Sequence, residues 1–286
     1  MRYDWLFAFV VFAEHRSFTH AARRLHISQP ALHVQIRKLA EAVGRPLYRR
    51  EGRALALTPE GLRLAAFGRE VAERGRSVLE EVRGQPQSGP VVLASGQGAF
   101  LYLLGPAIRR FPKERWPLRL LAMPGPEAIA AVRDARAHLC VVAAEQPPAD
   151  LPATRLVTVG QHVVLPRGHR LARRRSLRPA DLDGEPLVVA PEGSPHRAML
   201  LQLLRAAGCE PVVAVEVTGW EPALQFARYG VGIAVVNDFC PAPRGMVAIP
   251  LAGAPAITYY AVTRAGLASQ GTEAMRRLIV ETVARC

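Results

Sequence analysis

The chain has 286 residues, of which 50% are hydrophobic, and it carries a formal net charge of +13. This length allows two domains with buried apolar cores, and the charge favours a polyanionic partner, because Lys and Arg release counterions from phosphates. No apolar stretch approaches the roughly 20 residues that a membrane-spanning helix needs, which excludes an integral membrane protein of the helical type.

The N-terminus and the cysteines indicate the compartment. The opening segment MRYDWLFAFVVFAEH has a short apolar run but lacks a small-residue cleavage site, which favours an amphipathic helix over a signal peptide. The cysteines, Cys140, Cys209, Cys240 and Cys286, form no C-x-x-C pair. A reduced, cytoplasmic location is the simplest interpretation, and redox sensing by one of these thiols is the alternative.

The pattern of apolar residues predicts a first helix over residues 4–14, capped by Asp4. Its inward-facing side chains would be Trp5, Leu6, Phe9, Val10 and Ala13. These side chains would form the core beneath the segment that follows.

The segment 18–37 predicts two short helices joined by a tight turn at residues 26–27. Ser28 is placed to cap the second helix, and Pro30 fits its first turn, where the missing N–H costs nothing. The second helix would bury Leu32, Ile36 and Leu39 and expose Gln29, His33, Arg37 and Lys38. This pattern is typical of a helix-turn-helix whose second helix enters the DNA major groove, and a helical hairpin with a solvated polar face is the alternative.

A hairpin is predicted after the helix-turn-helix. Two short strands flank a turn at Glu51-Gly52-Arg53, which is the arrangement of a wing. Arg49, Arg50 and Arg53 would meet DNA phosphates or a narrow minor groove, and a solvated basic loop is the alternative.

A long helix is predicted over residues 59–83. Arg69 and Arg76 interrupt its apolar stripe, so it would be a poor coiled coil on its own. The breaker-rich segment 84–90 then predicts a hinge.

From Val91 onward, short apolar strands alternate with helices, one of them predicted over residues 99–111. Such alternation predicts an α/β domain with a parallel, doubly wound sheet. The domain would have two lobes, lobe I with residues 91–159 and 254–286 and lobe II with residues 160–253.

Ligands of open α/β sheets bind beyond the carboxyl ends of the strands, which points to four loops. The candidate effector-binding residues in these loops are Ser95, Gly96, Gln97, Met123, Gly193, Ser194, Thr218 and Trp220. Ser95 and Ser194 would stand at helix N-termini, where free N–H groups favour an anion such as a small carboxylate, and Trp220 would add an aromatic wall. Helix capping alone would also explain both serines, and Arg197 would either reach the cleft or lie on the helix surface.

Signatures of enzymes are missing from the sequence. There is no G-x-S-x-G elbow, no Walker loop and no H-E-x-x-H pair, and the eight histidines do not follow metal-ligand spacing. Gly96-Gln97-Gly98 lacks the third glycine of a dinucleotide fingerprint. We expect no catalytic activity, no metal and no cofactor.

The segment 5–64 resembles the N-terminal domain of LysR-type transcriptional regulators. The matching residues are Phe9, Ser17-Phe18-Thr19, Ala21-Ala22, Leu25, Ser28-Gln29-Pro30-Ala31-Leu32, Gln35-Ile36, Leu39, Gly44, Leu47-Tyr48, Arg50, Leu57-Thr58-Pro59 and Gly61. The remainder resembles, more loosely, the effector domain of that family, which is similar to type 2 periplasmic-binding proteins. The segments that carry this likeness are Val163–Pro166, Gly168-His169, Asp181-Leu182 and Val231-Gly232-Ile233-Ala234.

The resemblance implies a winged helix-turn-helix over residues 1–61, a linker helix over 59–83 that pairs with its twin, a hinge over 84–90 and an effector domain over 91–286. With the residues singled out above, it implies promoter DNA contacts by Ser17, Thr19, Ser28, Gln29, Pro30, His33, Arg37, Arg49, Arg50 and Arg53. It further implies a small-molecule effector and a homodimer or homotetramer, and it leaves RNA polymerase open as another partner.

Three positions depart from the family pattern. His33 stands where a small residue, often Ser, is usual, which affects the DNA sequence preference. Ala40 replaces a Glu and would touch local packing. The segment 138–142 lacks the acidic, small-residue pattern usual at the end of the third strand of lobe I, which predicts unusual pocket chemistry nearby.

The leading interpretation is a sequence-specific DNA-binding regulator controlled by a small carboxylate or aromatic metabolite. One alternative is a DNA-binding regulator whose effector lobe senses nothing. Another is a solute-binding protein or enzyme whose basic N-terminus serves only oligomerisation.

Overall fold

The structure, a computed structural model, describes residues 2–52, 54–84, 88–266 and 268–284. Its N-terminal part contains α1 (Tyr3–His15), α2 (Phe18–Leu25), α3 (Gln29–Val43), β1 (Tyr48–Glu51), β2 (Ala54–Leu57) and α4 (Pro59–Val82). The predicted pair of short helices, the hairpin and the long helix are thereby confirmed. Arg53, in the hairpin turn, lies outside the described residues, as do positions 85–87 of the predicted hinge.

An aromatic cluster forms the core of the N-terminal part. The ring centroid of Phe12 lies 4.4 Å from that of Phe18 and 5.3 Å from that of Tyr48. The same core buries the predicted apolar stripe of α3, which consists of Leu32, Ile36 and Leu39. One face of α3 is therefore fixed, and its opposite face is left to solvent.

The start of α1 differs from the prediction. Asp4 is not the cap: the N-cap residue is Arg2, without a side-chain cap hydrogen bond, and Asp4 lies in the first turn in an ion pair with Arg2 at 3.0 Å. A carboxylate there also faces the positive end of the helix dipole. The buried residues of α1 are Leu6, Ala8, Phe9, Val10, Phe12 and Ala13, whereas Trp5 is half-buried.

Two glycines allow α4 to lie directly against its neighbours. A Cβ atom on Gly61 would lie 1.9 Å from the carbonyl oxygen of Leu47, and one on Gly68 would lie 2.4 Å from Cγ2 of Val10. The Thr58 hydroxyl fixes the start of the helix by accepting the Gly61 N–H at 3.0 Å. These contacts attach α4 firmly to α1 and the wing.

The remaining chain forms two α/β lobes. Its elements are β3 (Val91–Ser95), a π-helical turn (Ala99–Leu103), α5 (Gly105–Arg110), β4 (Leu118–Ala122), α6 (Gly125–Arg133), β5 (Leu139–Ala144), β6 (Ala153–Val159), β7 (Gln161–Pro166), a 3-10 turn (Pro179–Leu182), β8 (Pro186–Val189), α7 (Pro195–Ala206), β9 (Val212–Glu216), α8 (Trp220–Arg228), β10 (Ile233–Asn237), β11 (Met246–Pro250), β12 (Ile257–Thr263) and α9 (Gln270–Val283). Among the residues described, no helix has the length and apolar content to cross a lipid bilayer.

Each lobe has one five-stranded sheet between two helical layers. The strand order is β4-β3-β5-β12-β6 in lobe I and β11-β7-β10-β8-β9 in lobe II. In lobe I the core beneath α5 and α9 contains Phe111, Trp116 and Met275, and α6 covers the opposite face with Ala128 and Val132. In lobe II, α7 and α8 cover opposite faces of the sheet.

The predicted parallel arrangement holds for four of the five strands in each sheet but not for the fifth. One strand in each sheet runs antiparallel to its neighbours: β12 in lobe I, beside β5 and β6, and β7 in lobe II, beside β10 and β11. β7 is the first strand after the chain passes from lobe I into lobe II, and β12 is the first strand after it returns to lobe I. They run away from the lobe junction, whereas β3 runs towards it, and the apolar pattern of a strand does not report its direction.

Two further elements depart from the predictions. The helix predicted over 99–111 is divided into the π-helical turn and α5, because Pro106 has no N–H with which to continue the hydrogen-bond ladder. The strand β6 is absent from the predicted elements; its partner β12 lies about a hundred residues away in sequence.

We predict opposite effects for two Gly→Ala substitutions within α4. Gly61→Ala should lower the free energy of unfolding by about 1–3 kcal/mol, because the new methyl group meets the Leu47 backbone. Gly75→Ala, where no described atom outside the adjacent backbone of α4 lies within 4 Å of the added Cβ, should raise it by up to about 1 kcal/mol through helix propensity. Urea unfolding of both variants measures this, and equal stabilisation by the two alanines would contradict the proposed packing.

Candidate DNA-binding surface and effector cleft

Local capping positions the helix-turn-helix. The Ser17 hydroxyl accepts the His20 N–H at 3.4 Å and begins α2, and the Ser28 hydroxyl accepts the Ala31 N–H at 3.3 Å and begins α3, as predicted. His26 ends α2 in the left-handed conformation, with φ of 55°. Both serine hydroxyls thus have an intrachain role, and their contact with DNA stays a prediction.

A hydrogen bond across the turn orients the first residue of α3. The Thr19 hydroxyl donates to the side-chain carbonyl oxygen of Gln29 at 3.2 Å. Both side chains are exposed, so the carboxamide nitrogen of Gln29 remains available to a ligand outside the protein. Both residues are predicted site residues, but their contact depends on how two helices approach each other and is not visible in the sequence.

The exposed face of α3 places the other predicted side chains beside Gln29. The His33 ring stacks on Phe18, with centroids 3.6 Å apart and planes 13° apart, and remains exposed. Arg37, one turn further along, is exposed and pairs with Glu41 at 3.6 Å. The amino-terminal half of α3 therefore presents hydrogen-bonding groups in a fixed arrangement, including the one residue that departs from the family pattern on this face.

The two described arginines of the wing are not equivalent. Strand alternation places Arg49 on one face of the hairpin with Glu51, to which it binds at 2.6 Å. Arg50 lies on the other face, is exposed and has no side-chain ion pair within the described chain. Arg50 is therefore the more available of the two for a phosphate.

Ser95 lies two residues before a helical segment that begins at Gln97, but its hydroxyl does not cap that helix. It is the last residue of β3 and fully buried, and its hydroxyl donates to the carbonyl oxygen of Val141 at 2.6 Å. Because β3 and β5 are neighbours, this side chain joins two strands. Its hydroxyl is used within the sheet, one residue before the loop that begins at Gly96.

The two lobes meet where the loop after β3 faces the start of α8. A Cβ atom on Gly98 would lie 1.8 Å from the Trp220 ring, and one on Gly219 would lie 2.7 Å from Oε1 of Gln97. Trp220 therefore lies directly on the backbone of lobe I. The structure brings Gln97 and Trp220, two of the candidate effector-site residues, close together, and the exposed Thr218 lies two residues before Trp220.

Two other predicted residues lie apart from this contact. Gly193 and Ser194 border a hollow of about 420 Å³ along α7, whose lining belongs to lobe II. Met123 packs its half-buried side chain on the α6 side of the lobe I core. Arg197 does not reach the cleft: it is largely buried, binds the Ala190 carbonyl at 3.3 Å and pairs with Glu216.

A chain of polar side chains that the sequence does not predict crosses between the lobes; Gln161, Asn237 and Tyr259 are buried and His196 is half-buried. Nε2 of His196 donates to Oε1 of Gln161 at 3.0 Å, and Nε2 of Gln161 donates to Oδ1 of Asn237 at 2.9 Å. Nδ2 of Asn237 then donates to the Tyr259 hydroxyl of lobe I at 2.8 Å. His196 also meets the edge of Trp220, with centroids 4.5 Å apart. The only sequence signals are a Gln beginning one apolar strand and an Asn ending another.

Burial sets the ionisation of this chain. It lowers the pKa of His196 to about 4, so the imidazole is neutral at pH 7. Burial also raises the pKa of Tyr259. On the lobe junction, Tyr102 donates to Glu221 of α8, and burial followed by this hydrogen bond raises the pKa of Tyr102. The hydrogen bonds from His196 to Tyr259 thus join neutral donors and acceptors, and Tyr102 adds a separate bond to the Glu221 carboxylate.

The segment 138–142, for which unusual pocket chemistry is predicted, lies only partly near the cleft: Val141 accepts the Ser95 hydroxyl, whereas His138 lies at the other end of the segment. His138 faces α4: its Nδ1 accepts the Val92 N–H at 2.9 Å and its Nε2 lies 3.4 Å from Glu73. Glu73 also pairs with Arg264 at 3.1 Å, and Arg69 donates to the Asp134 carbonyl at 2.7 Å. A cavity of about 240 Å³ lies at this junction of α4 with lobe I, and Cys140 is buried in the lobe I core.

The buried imidazole makes stability depend on pH. Because the pKa of His196 falls from 6.5 to about 4 on folding, the unfolded chain takes up the proton first. The contribution of neutral His196 is therefore complete above pH 6.5 and is lost as the pH falls towards 4. His196→Gln should have a Tm that falls less between pH 7 and pH 5 than that of the parent protein. Scanning calorimetry measures this against the exposed-site control His20→Gln, and parallel curves for parent and His196→Gln would contradict the assignment.

Comparison with known proteins extends these observations to the whole chain. Residues 3–62 match the model of the bacterial regulatory helix-turn-helix protein, lysR family, and residues 84–284 match that of the LysR substrate binding domain. The HTH-type transcriptional regulator TfdS of Cupriavidus pinatubonensis is 31% identical over 244 residues, covering 82% of each chain. XapR of Escherichia coli is 28% identical over 236 residues, covering 80% of each.

Solved structures show the same fold. Full-length OxyR of Pseudomonas aeruginosa, carrying a cysteine-to-aspartate substitution, superposes with a TM-score of 0.76 at 22% identity, covering all of this chain and 95% of that one. Full-length CbnR in complex with its target DNA gives a TM-score of 0.63 at 19% identity, covering 99% and 100%. With both family models matched in order along one chain, the protein belongs to the LysR family of transcriptional regulators.

Proposed function

We propose that this LysR-family regulator reads promoter DNA in the cytoplasm through the amino-terminal half of α3. The main support for this proposal is that Gln29, His33 and Arg37 are exposed along one face of α3, while its opposite face is buried in the aromatic core. A glutamine carboxamide matches adenine and a guanidinium matches guanine in the major groove. Arg50 on the wing would bind a phosphate and hold the register.

A symmetric oligomer would present two such helices to a split site. The helix α4 supports this, because it exposes large apolar side chains, of which Phe67, Val78 and Val82 share one face that a second copy would cover. The exposed large apolar side chains of α4 are Leu62, Phe67, Val78, Leu79 and Val82. The crystal structure of CbnR with its target DNA provides a DNA-bound relative of the same fold.

The effector would be a small carboxylate or aromatic acid held between the lobes. Gln97 and Thr218 are exposed beside Trp220. Ser194, the N-cap residue of α7, makes no side-chain cap hydrogen bond in the described structure and borders the separate hollow along α7. Admission of a ligand at this place requires Trp220 to leave the backbone of Gly98. A ligand that binds the opened arrangement more tightly shifts the population of conformations, which is the physical basis for regulation without catalysis.

Substitutions at α3 and at the wing should have different effects on DNA binding. Gln29→Ala should lower affinity for a site selected from random duplexes by about tenfold and relax discrimination at one base pair, because a bidentate contact contributes about 1–3 kcal/mol. Thr19→Val should act in the same direction but more weakly, since it frees the carboxamide. Arg50→Gln should weaken all sequences alike and flatten the salt dependence. Fluorescence anisotropy on the selected site and its single-base variants measures this, and a uniform loss with Gln29→Ala would refute base reading.

A thermal-shift screen tests the effector proposal. The full-length protein is heated with small carboxylates and aromatic acids, and a bound acid should raise Tm with dose, by mass action on the native state. Trp220→Ala should weaken that shift, whereas Phe226→Ala, on the exposed side of the same helix, should retain it. A shift that both variants keep would place the ligand elsewhere, and the absence of any shift would favour a regulator whose effector domain senses nothing.

A further inference from the structure

The loop between β7 and β8 carries a dense positive charge that the helix-turn-helix does not account for. Six of its twelve residues from 167 to 178 are arginine, and none is acidic. The arginines are Arg167, Arg170, Arg173, Arg174, Arg175 and Arg178. All six are exposed. The loop belongs to lobe II, whereas α4 is attached to lobe I, so this charge lies on a different part of the molecule from the winged domain.

The loop is anchored to the body of lobe II. Leu171 and Leu177 are buried in the core beneath α7. Leu177 also forms a β-bridge with Leu251: its N–H donates to the Pro250 carbonyl at 2.9 Å, and its carbonyl accepts the Ala252 N–H at 2.7 Å. The three consecutive arginines at 173–175 therefore project from a segment held on both sides, and binding through them would not require the loop to be ordered first.

At least half of this charge has no ion-pair partner among the described residues. Arg170 pairs with Glu185 at 2.7 Å and Arg178 with Asp181 at 3.6 Å. Arg167, Arg173 and Arg175 form no ion pair with any described residue. The exposed Arg244 adds to the same surface, because the backbone N–H of Arg167 donates to the neighbouring Gly245 carbonyl at 3.1 Å.

We propose that this arginine-rich loop is a second DNA-binding surface, which holds the phosphate backbone of duplex DNA without reading its sequence. Guanidinium groups match phosphates in geometry and remain charged at any physiological pH. Duplex DNA carries about one charge per 1.7 Å of its axis, so adjacent arginines can meet adjacent phosphates. DNA is favoured over an acidic protein because the winged domain already brings duplex to the molecule, which raises its local concentration at lobe II.

The test isolates the loop from the winged domain within the full-length protein. R37Q/R49Q/R50Q weakens the first surface, and R173Q/R174Q/R175Q is added to that background. A matched control instead adds R109Q/R119Q/R228Q, which removes the same charge from three exposed and scattered sites of the effector domain. The probe is an 80-base-pair duplex of random sequence, titrated by anisotropy at several salt concentrations. Selected-site binding by the parent protein is measured separately, so a failure of the winged domain is recognised as such.

The loop variant should bind the duplex about tenfold more weakly at low salt than its background. Its plot of log affinity against log salt should be flatter by about 0.9 for each phosphate that the loop no longer neutralises. The control should change affinity by less than about twofold, and thermal melting should confirm that all variants fold. If the loop variant and the control lost affinity equally, the effect would be explained by net charge alone, and the proposal would be overturned. Unchanged DNA binding, together with failure to retain a polyglutamate peptide that the background retains, would overturn it in favour of an acidic protein partner.

Discussion

The relation between the DNA-binding and effector domains depends on α4, because this one helix packs against both the winged domain and lobe I. The first turns of α4 lie against the winged domain through Gly61 and Gly68, and its middle is joined to lobe I through Arg69 and Glu73. Its 24 residues span roughly 36 Å at 1.5 Å per residue. A change in the effector domain that alters DNA binding must therefore move this helix or pass through the connection that follows it.

The junction between lobe I and lobe II is the place in the effector domain where such a change would begin. Trp220 lies on the Gly98 backbone, and behind it a continuous chain of neutral hydrogen bonds runs from His196 to Tyr259. Each buried polar group in this chain has a partner, so the closed arrangement does not carry the cost of unpaired polar atoms. Opening the junction would expose that chain to water, and a ligand that opens it must replace some of these hydrogen bonds with its own.

The sequence predicts the winged domain far better than the cleft, for a physical reason. Ser28 caps α3 through an atom three residues away, and an apolar stripe at helical spacing reports burial directly. In the cleft, Ser95 is oriented by Val141, and Gln161 is linked through Asn237 to lobe I. Such contacts join residues that only the completed topology brings together. The direction of the two strands that enter the lobes is hidden from local patterns in the same way.

His138, in the segment that departs from the family pattern, has its role defined by contacts with residues that are distant in sequence. Its Nδ1 accepts a backbone N–H, so the proton lies on Nε2, which faces the Glu73 carboxylate. Burial lowers the pKa of His138, against the opposing effect of Glu73, and favours the neutral ring. An acidic residue at this position would place two carboxylates side by side beneath α4. His138 and Glu73 of the linker helix thus contact each other and join lobe I to the helix that carries the DNA-binding domain.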